Sequence, residues 1–337
     1  MRVVVVGAGA VGARAGRQLL AMERLEDLVV VDPDVERRDA VVASLGPPAR
    51  AESGELGAML EGIDVVLLAA GVPHAPFAEE ALRAGASVVS TSDAVADVEA
   101  LLALDDAARS AGRTVVAGAG FSPGLTCALA AFGARSFEHV DEVHVAKTGT
   151  GGPACARQHH RALQGPAREW QSGGWRQRSG GSGRELAWFP DPLRAVDCYR
   201  AALADPLLLV PAFPGVRRVT ARMGASRRDR LTSAVPMLRK PHPEGGLGAV
   251  RVELLGTQGP SGTNRVLGAV DRPSVAAGAV AALAVRWAAE GRFTRTGAGG
   301  LASLAEPSPF LATLAERGVK VAVFEGGHQR SEVTSAS

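Results

Sequence analysis

Short hydrophobic runs alternate with stretches of helical periodicity over the first 120 residues of the chain. The clearest runs are almost continuously apolar, as strands buried on both faces of a sheet are, and they lie at 2–6, 28–32, 63–70, 87–91 and 113–118. A weaker run at 49–51 is a candidate for one more strand. Between the runs, apolar spacing predicts helices at 11–22, 35–45, 54–60, 76–84 and 98–110. This alternation predicts a doubly wound parallel α/β sheet.

The pattern changes after residue 122. Residues 123–135 are predicted to form a helix, with Ser122 as its N-cap and Pro123 in its first turn. Period-two alternation then predicts strands of a sheet covered on one face, at 140–147, 216–223, 249–255 and 265–270. The stretch 148–183 is rich in Gly, His, Trp and Arg, and we expect it to form long ordered loops. An Ala/Val-rich helix at 274–287, a helix at 301–317 and a strand at 319–324 complete the chain.

A glycine-rich hexapeptide follows the first predicted strand and opens the first predicted helix. It reads Gly7-Ala8-Gly9-Ala10-Val11-Gly12. In a dinucleotide-binding turn, the first glycine permits the tight bend, the second leaves room for the pyrophosphate, and the third lets helix and strand pack closely. The unpaired N–H groups at the helix N-terminus favour phosphate groups. The context therefore predicts a Rossmann dinucleotide site.

An acidic residue stands where the adenosine ribose of such a cofactor would bind. Asp32 ends the second predicted strand, 20 residues after Gly12, and is followed by Pro33. Its carboxylate would accept hydrogen bonds from the ribose and repel a 2′-phosphate. We therefore predict NAD, with NADP as the alternative because Arg37 and Arg38 are close enough to offset that repulsion.

The turns after the other strands should line the nicotinamide, because ligands bind at the carboxyl ends of strands in open α/β sheets. These turns lie at 69–73, 90–93 and 118–123. A helix-capping role fits Ser92 equally well. The residues predicted to contact the cofactor are Gly7, Ala8, Gly9, Ala10, Val11, Gly12, Asp32, Pro33, Ala69, Ala70, Gly71, Thr91, Ser92 and Gly120.

The chain is predicted to divide into three parts. Residues 1–122 form the Rossmann domain, and residues 123–285 form an α+β domain for substrate binding and dimerisation, with a largely antiparallel or mixed sheet. Residues 286–337 are expected to return to the Rossmann domain. A length of 337 residues fits two domains better than one.

Composition narrows the class of protein. The 37 basic and 35 acidic residues almost balance, which argues against a nucleic-acid partner. No apolar run is long enough for a membrane span or a signal core. Three cysteines without a CxxC pair are typical of a reducing compartment. We predict a cytoplasmic enzyme that acts on a small molecule and has no membrane partner.

Three segments resemble the saccharopine dehydrogenase-like NAD(P)-dependent reductases. They read Ala-Gly-Val-Pro-His at 70–74, Gly-Ala-Ser-Val-Val-Ser-Thr-Ser-Asp at 85–93 and Gly-Ala-Gly-Phe-Ser-Pro-Gly-Leu-Thr at 118–126. The similarity covers residues 1–135. It implies hydride delivery from NAD(P)H to an imine that joins an amine to an oxo acid or aldehyde, and it implies a homodimer. Many relatives carry Tyr after the Thr-Ser pair, where this chain has Asp93.

Candidate acid–base groups stand in the second part of the chain. Lys147 ends a predicted strand directly before a polar stretch that contains His159 and His160. A histidine near its ordinary pKa exchanges protons at working pH, although two adjacent histidines also fit an exposed polar pair. The chain's one tyrosine is either a proton donor or a buried structural residue. The predicted catalytic residues are Lys147, His159, His160, Asp93 and Tyr199.

A carboxylated substrate needs groups that bind anions. Arginine pairs bidentately with carboxylates, although a charge run such as 222–230 is also typical of a solvated face. Adjacent histidines rarely chelate one ion, so we predict no metal. The residues predicted to contact the substrate are Phe121, Ser122, Pro123, Thr148, Arg157, Arg184 and Arg222.

Two other functions remain open. A sugar or inositol oxidoreductase shares an N-terminal Rossmann unit and a sheet-based second domain, but it usually has a Glu-Lys-Pro stretch after the fifth strand, which this sequence lacks. A redox sensor that binds NAD without turnover is the other alternative, and the sequence has no helix-turn-helix segment or basic face in its favour.

NAD(H) should bind more tightly than NADP(H), because the Asp32 carboxylate repels a 2′-phosphate. Calorimetric titration of the purified protein with each dinucleotide measures this preference. Equal or reversed affinities would contradict the role given to Asp32.

Overall fold

The computed structural model of the chain describes residues 1–71, 73–237, 241–325 and 328–330. Val72, part of one predicted nicotinamide turn, lies outside the described residues. Two sheets organise the chain, one parallel and one mixed. This arrangement confirms the predicted fold class.

The first sheet has seven parallel strands in the order β15-β6-β5-β4-β1-β2-β3. Its strands are β1 (Arg2–Val6), β2 (Asp27–Val31), β3 (Ala49–Glu52), β4 (Val65–Leu68), β5 (Ser87–Ser90), β6 (Thr114–Val116) and β15 (Gly297–Gly299). Strands β1, β4 and β5 lie in the middle and are almost entirely buried, as their continuous apolar runs predicted.

Helices connect these strands: α1 (Ala10–Leu20), α2 (Val35–Leu45), α3 (Ala75–Arg83), α4 (Val95–Leu102) and α5 (Asp105–Ser110). Two predictions need correction. The helix expected at 54–60 is a 3-10 helix at Leu56–Met59, and the helix expected at 98–110 is two helices. The second of these helices begins at Asp105, whose carboxylate accepts a 2.7 Å hydrogen bond from the Ala298 N–H on β15.

The second sheet has ten strands, and only β12 and β7 pair in parallel. Its strands are β7 (His139–Thr148), β8 (Ala167–Gln171), β9 (Gly174–Arg178), β10 (Glu185–Trp188), β11 (Ala195–Arg200), β12 (Arg218–Gly224), β13 (Gly248–Gln258), β14 (Ser261–Asp271), β16 (Val321–Glu325) and β17 (His328–Arg330). The remaining helices are α6 (Leu125–Ala134), α7 (Pro153–Ala162), α8 (Asp205–Leu209), α9 (Arg227–Thr232), α10 (Pro273–Ala289), α11 (Leu301–Leu304) and α12 (Pro307–Glu316).

The predicted loop region 148–183 contains regular structure, which corrects the sequence analysis. Helix α7 buries Ala156, His159 and Ala162, three positions at helical spacing, but its second half is mostly polar and hides the stripe. Strands β8 and β9 form a hairpin in which β9 is largely exposed, so its sequence lacks apolar alternation.

The helix predicted at 123–135 begins at Leu125, with Gly124 as its N-cap at φ +125°. Ser122 is therefore not the N-cap, because its hydroxyl donates to Asp205 instead. The helix predicted at 301–317 is likewise two helices, the second of which has Pro307 in its first turn.

The two sheets share a continuous core. Helix α6 is buried along most of its length and packs on the face of β13 and β14. Helix α10 packs against α1 and the first sheet, and it spans residue 285, where we expected the third part of the chain to begin. Strand β15 returns to pair with β6. Within the described ranges, no helix combines the length and the apolar character that crossing a membrane requires.

The contact between α10 and α1 requires a glycine. A Cβ on Gly278 would lie 2.6 Å from the Arg14 Cβ and 3.0 Å from the Ala15 nitrogen. We expect Gly278→Ala to lower the free energy of unfolding by about 1–3 kcal/mol, since helix backbone cannot yield easily. Chemical denaturation measures the change.

Gly16→Ala is the matched control. It also lies in a helix, but its added Cβ meets only the ends of the Leu45 and Leu28 side chains. Its stability should stay within about 1 kcal/mol of wild type. Equal losses in both variants would show that the α1–α10 approach is not tight.

Candidate active site

The glycine turn after β1 leaves an open place for a pyrophosphate. A Cβ on Gly7, which has φ +108°, would lie 2.6 Å from the Ala70 nitrogen, and a Cβ on Gly12 would lie 1.9 Å from the Gly7 oxygen. At Gly9, by contrast, an added Cβ would meet nothing within 4 Å. The first and third glycines are therefore required by close contacts within the turn, and the second leaves the outer side of the turn open. This cradle fits the phosphates of a dinucleotide at the N-terminus of α1.

Asp32 is ionised and already paired with an arginine. Its carboxylate accepts the Ala8 N–H at 2.7 Å and the Arg37 guanidinium at 2.6 Å. Burial would raise the pKa of Asp32, but these hydrogen bonds lower it below its ordinary value. Arg37 therefore stands beside the ribose position and can offset a 2′-phosphate, as the sequence suggested. Arg38 turns away and donates to the Glu52 carbonyl.

His74 joins two of the turns predicted to line the nicotinamide. Its Nε2–H donates to the Ala70 carbonyl at 3.0 Å, so Nδ1 is free to accept the Ser90 hydroxyl at 2.8 Å. Burial lowers the pKa of this imidazole, which keeps it neutral in that tautomer. His74 thus holds the turn after β4 against the turn after β5. It was not among the predicted site residues, although it ends one of the three family-like segments.

The other predicted cofactor residues follow the strand ends. Thr91 donates its hydroxyl to the Leu68 carbonyl, and the Ser92 hydroxyl accepts the Ala94 N–H at 3.4 Å. Gly120 donates its N–H to the Pro123 carbonyl in a tight turn after β6. These positions lie along one edge of the first sheet, where the sequence analysis placed them.

Three predicted catalytic residues meet beside this edge. The His159 Nε2 lies 2.9 Å from an Asp93 carboxylate oxygen and 2.9 Å from the Lys147 Nζ. Lys147 also lies 3.6 Å from Asp93, and it donates to the Ser122 carbonyl at 3.1 Å. Strand β7, helix α7 and the turn after β5 each contribute one of the three residues, and the turn after β6 contributes the Ser122 carbonyl.

The charges in this cluster shift the pKa values of its members. Burial opposes the charged form of His159, but the neighbouring Cys155 thiolate and the bond to Asp93 raise its pKa to about 9. Burial likewise opposes the Asp93 carboxylate, but the His159 hydrogen bond and the Lys147 charge lower its pKa to about 2. At neutral pH the pair is imidazolium and carboxylate.

The Nε2 atom of His159 lies against both a hydrogen-bond donor, the Lys147 ammonium, and an acceptor, the Asp93 carboxylate. As imidazolium it donates to Asp93, and as neutral imidazole it accepts from Lys147. The arrangement can therefore hold a proton, release it and regain it without moving a backbone atom. This is the geometry of general acid–base chemistry.

Residues 1–119 match the family model described as the oxidoreductase family with an NAD-binding Rossmann fold. This match supports an NAD(P)-dependent oxidoreductase. Its fold is similar to that of saccharopine dehydrogenase (L-Glu forming) from Saccharomyces cerevisiae, with a TM-score of 0.68, 16% identity, and coverage of 96% of this chain and 100% of that one. An engineered D-amino acid dehydrogenase bound to NADP+ has a TM-score of 0.50 and 16% identity, covering 92% and 95% of the two chains. The resemblance predicted from the sequence is confirmed.

A buried carboxylate that sequence reasoning missed supports the cluster. Asp205, fully buried at the start of α8, accepts hydrogen bonds from the Ser122 hydroxyl at 3.0 Å and the Thr126 hydroxyl at 2.6 Å. Burial raises its pKa. The Ser122 carbonyl also accepts a hydrogen bond from the Lys147 ammonium. By holding the Ser122 hydroxyl, Asp205 therefore fixes the turn that positions Lys147. Nothing local in the sequence marks this aspartate.

Two predicted catalytic residues have other partners. His160 donates from Nε2 to the Thr232 and Val235 carbonyls, so it braces α7 against the segment after α9. Tyr199 shares the sheet face of Lys147 but lies two strands away, and the Arg230 guanidinium stacks on its ring at 4.2 Å. Neither meets the Asp93–His159–Lys147 cluster.

Two predicted carboxylate-binding arginines also lie elsewhere. Arg222 is in register with Ala146, and successive residues of a strand face opposite sides, so it points away from the face of Lys147. There it donates to the Gly183 carbonyl and pairs with Glu185. Arg184 pairs with Asp197 at the surface. The expectation that these two bind substrate is not supported.

The remaining substrate candidates stay near the cluster. Phe121, Ser122 and Pro123 form the turn after β6, Thr148 ends β7 directly after Lys147, and Arg157 is exposed on α7. Asp93, Cys155 and His159 offer donor atoms within 4.8 Å of one another, and such side chains can bind zinc. Because the Lys147 ammonium lies against the same imidazole nitrogen, we assign no metal there.

Gly9→Val should abolish dinucleotide binding while leaving the fold intact. The new side chain would fill the open side of the turn without touching the protein. Calorimetry and thermal unfolding measure the two effects. Gly174→Val, at another glycine with open surroundings in the exposed hairpin, is the control and should bind normally. A Gly9 variant with wild-type affinity would place the cofactor elsewhere.

Proposed function

We propose that this dehydrogenase acts on a carbon–nitrogen bond of a small carboxylated amine. It would reduce the imine that such an amine forms with an oxo acid or aldehyde, or oxidise the corresponding amino acid in reverse. The observation that carries the proposal is the Asp93–His159–Lys147 cluster at the strand ends that line the cofactor. The fold shared with saccharopine dehydrogenase supports it.

The cofactor would be held by the glycine turn and Asp32, and when bound it supplies or accepts the hydride. His159 is charged below pH 9 and gives its proton to the imine nitrogen, or to the hydroxyl that leaves as water when a carbinolamine collapses. Asp93 stabilises the imidazolium, and Lys147 restores the proton through its 2.9 Å contact. A positioned acid of this kind contributes about 10²–10⁴-fold to a rate.

Oxidation of a sugar or inositol hydroxyl is the second candidate. The His159 Nε2 atom also supports this reaction, because the neutral imidazole, held by Lys147, can take a proton from an alcohol. The turn after β5 carries Asp93 and lacks the Glu-Lys-Pro stretch usual in that group. The charged resting state of His159 suits the donation of a proton better than its removal, so we favour the first reaction.

A homodimer in the cytoplasm is also part of the proposal. Leu186 and Trp188 of edge strand β10 are 54% and 60% exposed, which supports association through the second sheet. The three cysteines are all free thiols, which suits a reducing compartment.

A substrate screen tests the reaction class. Oxidation of NADH is followed in the presence of amines paired with oxo acids or aldehydes, and each partner is also supplied alone. Activity that needs both partners supports imine reduction. Reduction of NAD⁺ by a polyol alone would favour the second candidate, and binding of NAD without any turnover would favour a sensor.

The rate of the reductive reaction should fall above about pH 9. His159 has its pKa raised from 6.5 to about 9, so the acid form dominates below that pH and is lost above it, while Asp93 remains ionised down to about pH 2. The pH profile of kcat measures this limb. His159→Gln should lower kcat about 100-fold or more and remove the limb.

His160→Gln is the matched control. This neighbour bonds only to backbone carbonyls outside the cluster, so its variant should keep the decline near pH 9. An unchanged limb in the His159 variant would assign the titration to another group.

A further inference from the structure

The three cysteines of this chain lie in very different surroundings. Cys127 and Cys198 are completely buried in the two apolar cores, and burial raises the pKa of both thiols to about 12. Cys155 is partly exposed, in the first turn of α7. Two thiols are therefore shielded and protonated, and the third is partly accessible.

Cys155 faces the charged cluster. Its sulfur lies 3.5 Å from Nε2 and 3.9 Å from Nδ1 of His159, which follows one helical turn later on α7. The other charged groups that act on it are Lys147 of β7 and Asp93 after β5. Burial and Asp93 oppose ionisation, but the His159 and Lys147 charges lower the pKa of this thiol below its ordinary value. The N–H groups at the start of α7 favour a thiolate further.

We infer that Cys155 is a nucleophilic thiol that forms covalent adducts with small carbon electrophiles. The geometry of a cysteine against a histidine at the start of a helix is that of an activated nucleophile. The proton of the thiol already resides on His159 as imidazolium, so the sulfur reacts as a thiolate: it forms a bond to carbon, and the electrophile loses its leaving group. With a haloacetamide, the carbon–halogen bond breaks and halide departs.

An adduct on this sulfur would occupy the space beside His159 and Asp93. The site would then accept neither the substrate nor a second electrophile. This inference is independent of the proposed carbon–nitrogen chemistry, because it concerns the thiol alone.

Iodoacetamide is the probe, used with the full-length protein and read out by peptide mass spectrometry. At pH 7 we expect Cys155 to be alkylated about tenfold faster than glutathione, since its thiolate fraction is larger while its intrinsic nucleophilicity is only modestly lower. Cys127 and Cys198 should react at least about 100-fold more slowly than Cys155, since both are buried and protonated. Cys155→Ser should remove the fast label.

Two histidine variants test the pairing. His159→Gln should slow the alkylation of Cys155 about tenfold, because an amide cannot take the proton or stabilise the thiolate. His160→Gln should leave the rate within about twofold. The alkylation rate of the wild-type protein tests the inference even if a variant fails to fold.

Alkylation of Cys155 no faster than that of glutathione, or a rate unaffected by His159→Gln in a folded variant, would overturn the inference. Neither result bears on the substrate screen, and a failed screen leaves the labelling result standing.

Discussion

A buried ammonium group determines how the active site is built. Lys147 is 2% exposed, and a buried charge is tolerated only when other groups replace its water. Its partners come from three other places in the chain: the Ser122 carbonyl after β6, His159 on α7 and Asp93 after β5. The second sheet and the ends of the first sheet are thereby tied at one point. Removing any partner would leave the ammonium undercompensated, so the same contacts that hold the cluster together also define its chemistry.

Local periodicity was enough to predict six of the seven strands of the first sheet, and only the short strand β15 was not predicted. Helix α2 has the predicted bounds, Val35–Leu45, and Gly12 packs closely against the Gly7 carbonyl as predicted, because both features depend on neighbours within one strand–helix unit. Helix α7 was missed because contacts with residues far along the chain bury its face, and its polar composition conceals the stripe. Asp205 was missed for a similar reason: its partners, Ser122 and Thr126, lie about 80 positions earlier.

The arginines predicted to bind substrate show that strand alternation alone does not predict which face of the sheet meets the site. Arg222 lies on a predicted strand, and alternation along that strand puts its side chain on the face opposite to Ala221 and Met223. Which side of the sheet meets the cofactor depends on the register with β7, where Arg222 pairs with Ala146 and Met223 with Lys147. Arg222 and Met223 therefore face opposite sides of the sheet, and only the pairing with a distant strand shows which of them faces the side of Lys147. His159 and His160 differ in the same way on α7, since adjacent helical positions face different neighbours.

The position of one proton links the two kinds of reactivity that the cluster supports. The His159 nitrogen is within hydrogen-bond distance of Lys147, Asp93 and Cys155, but it carries at most one proton. When that proton is present, the imidazolium serves as an acid and its charge favours a thiolate on Cys155. When the proton has been given away, the neutral ring accepts from Lys147, and the thiol loses its principal cationic neighbour. The imidazolium form of His159 and the thiolate form of Cys155 therefore stabilise each other, so a substrate that takes the proton from His159 also disfavours the thiolate beside it.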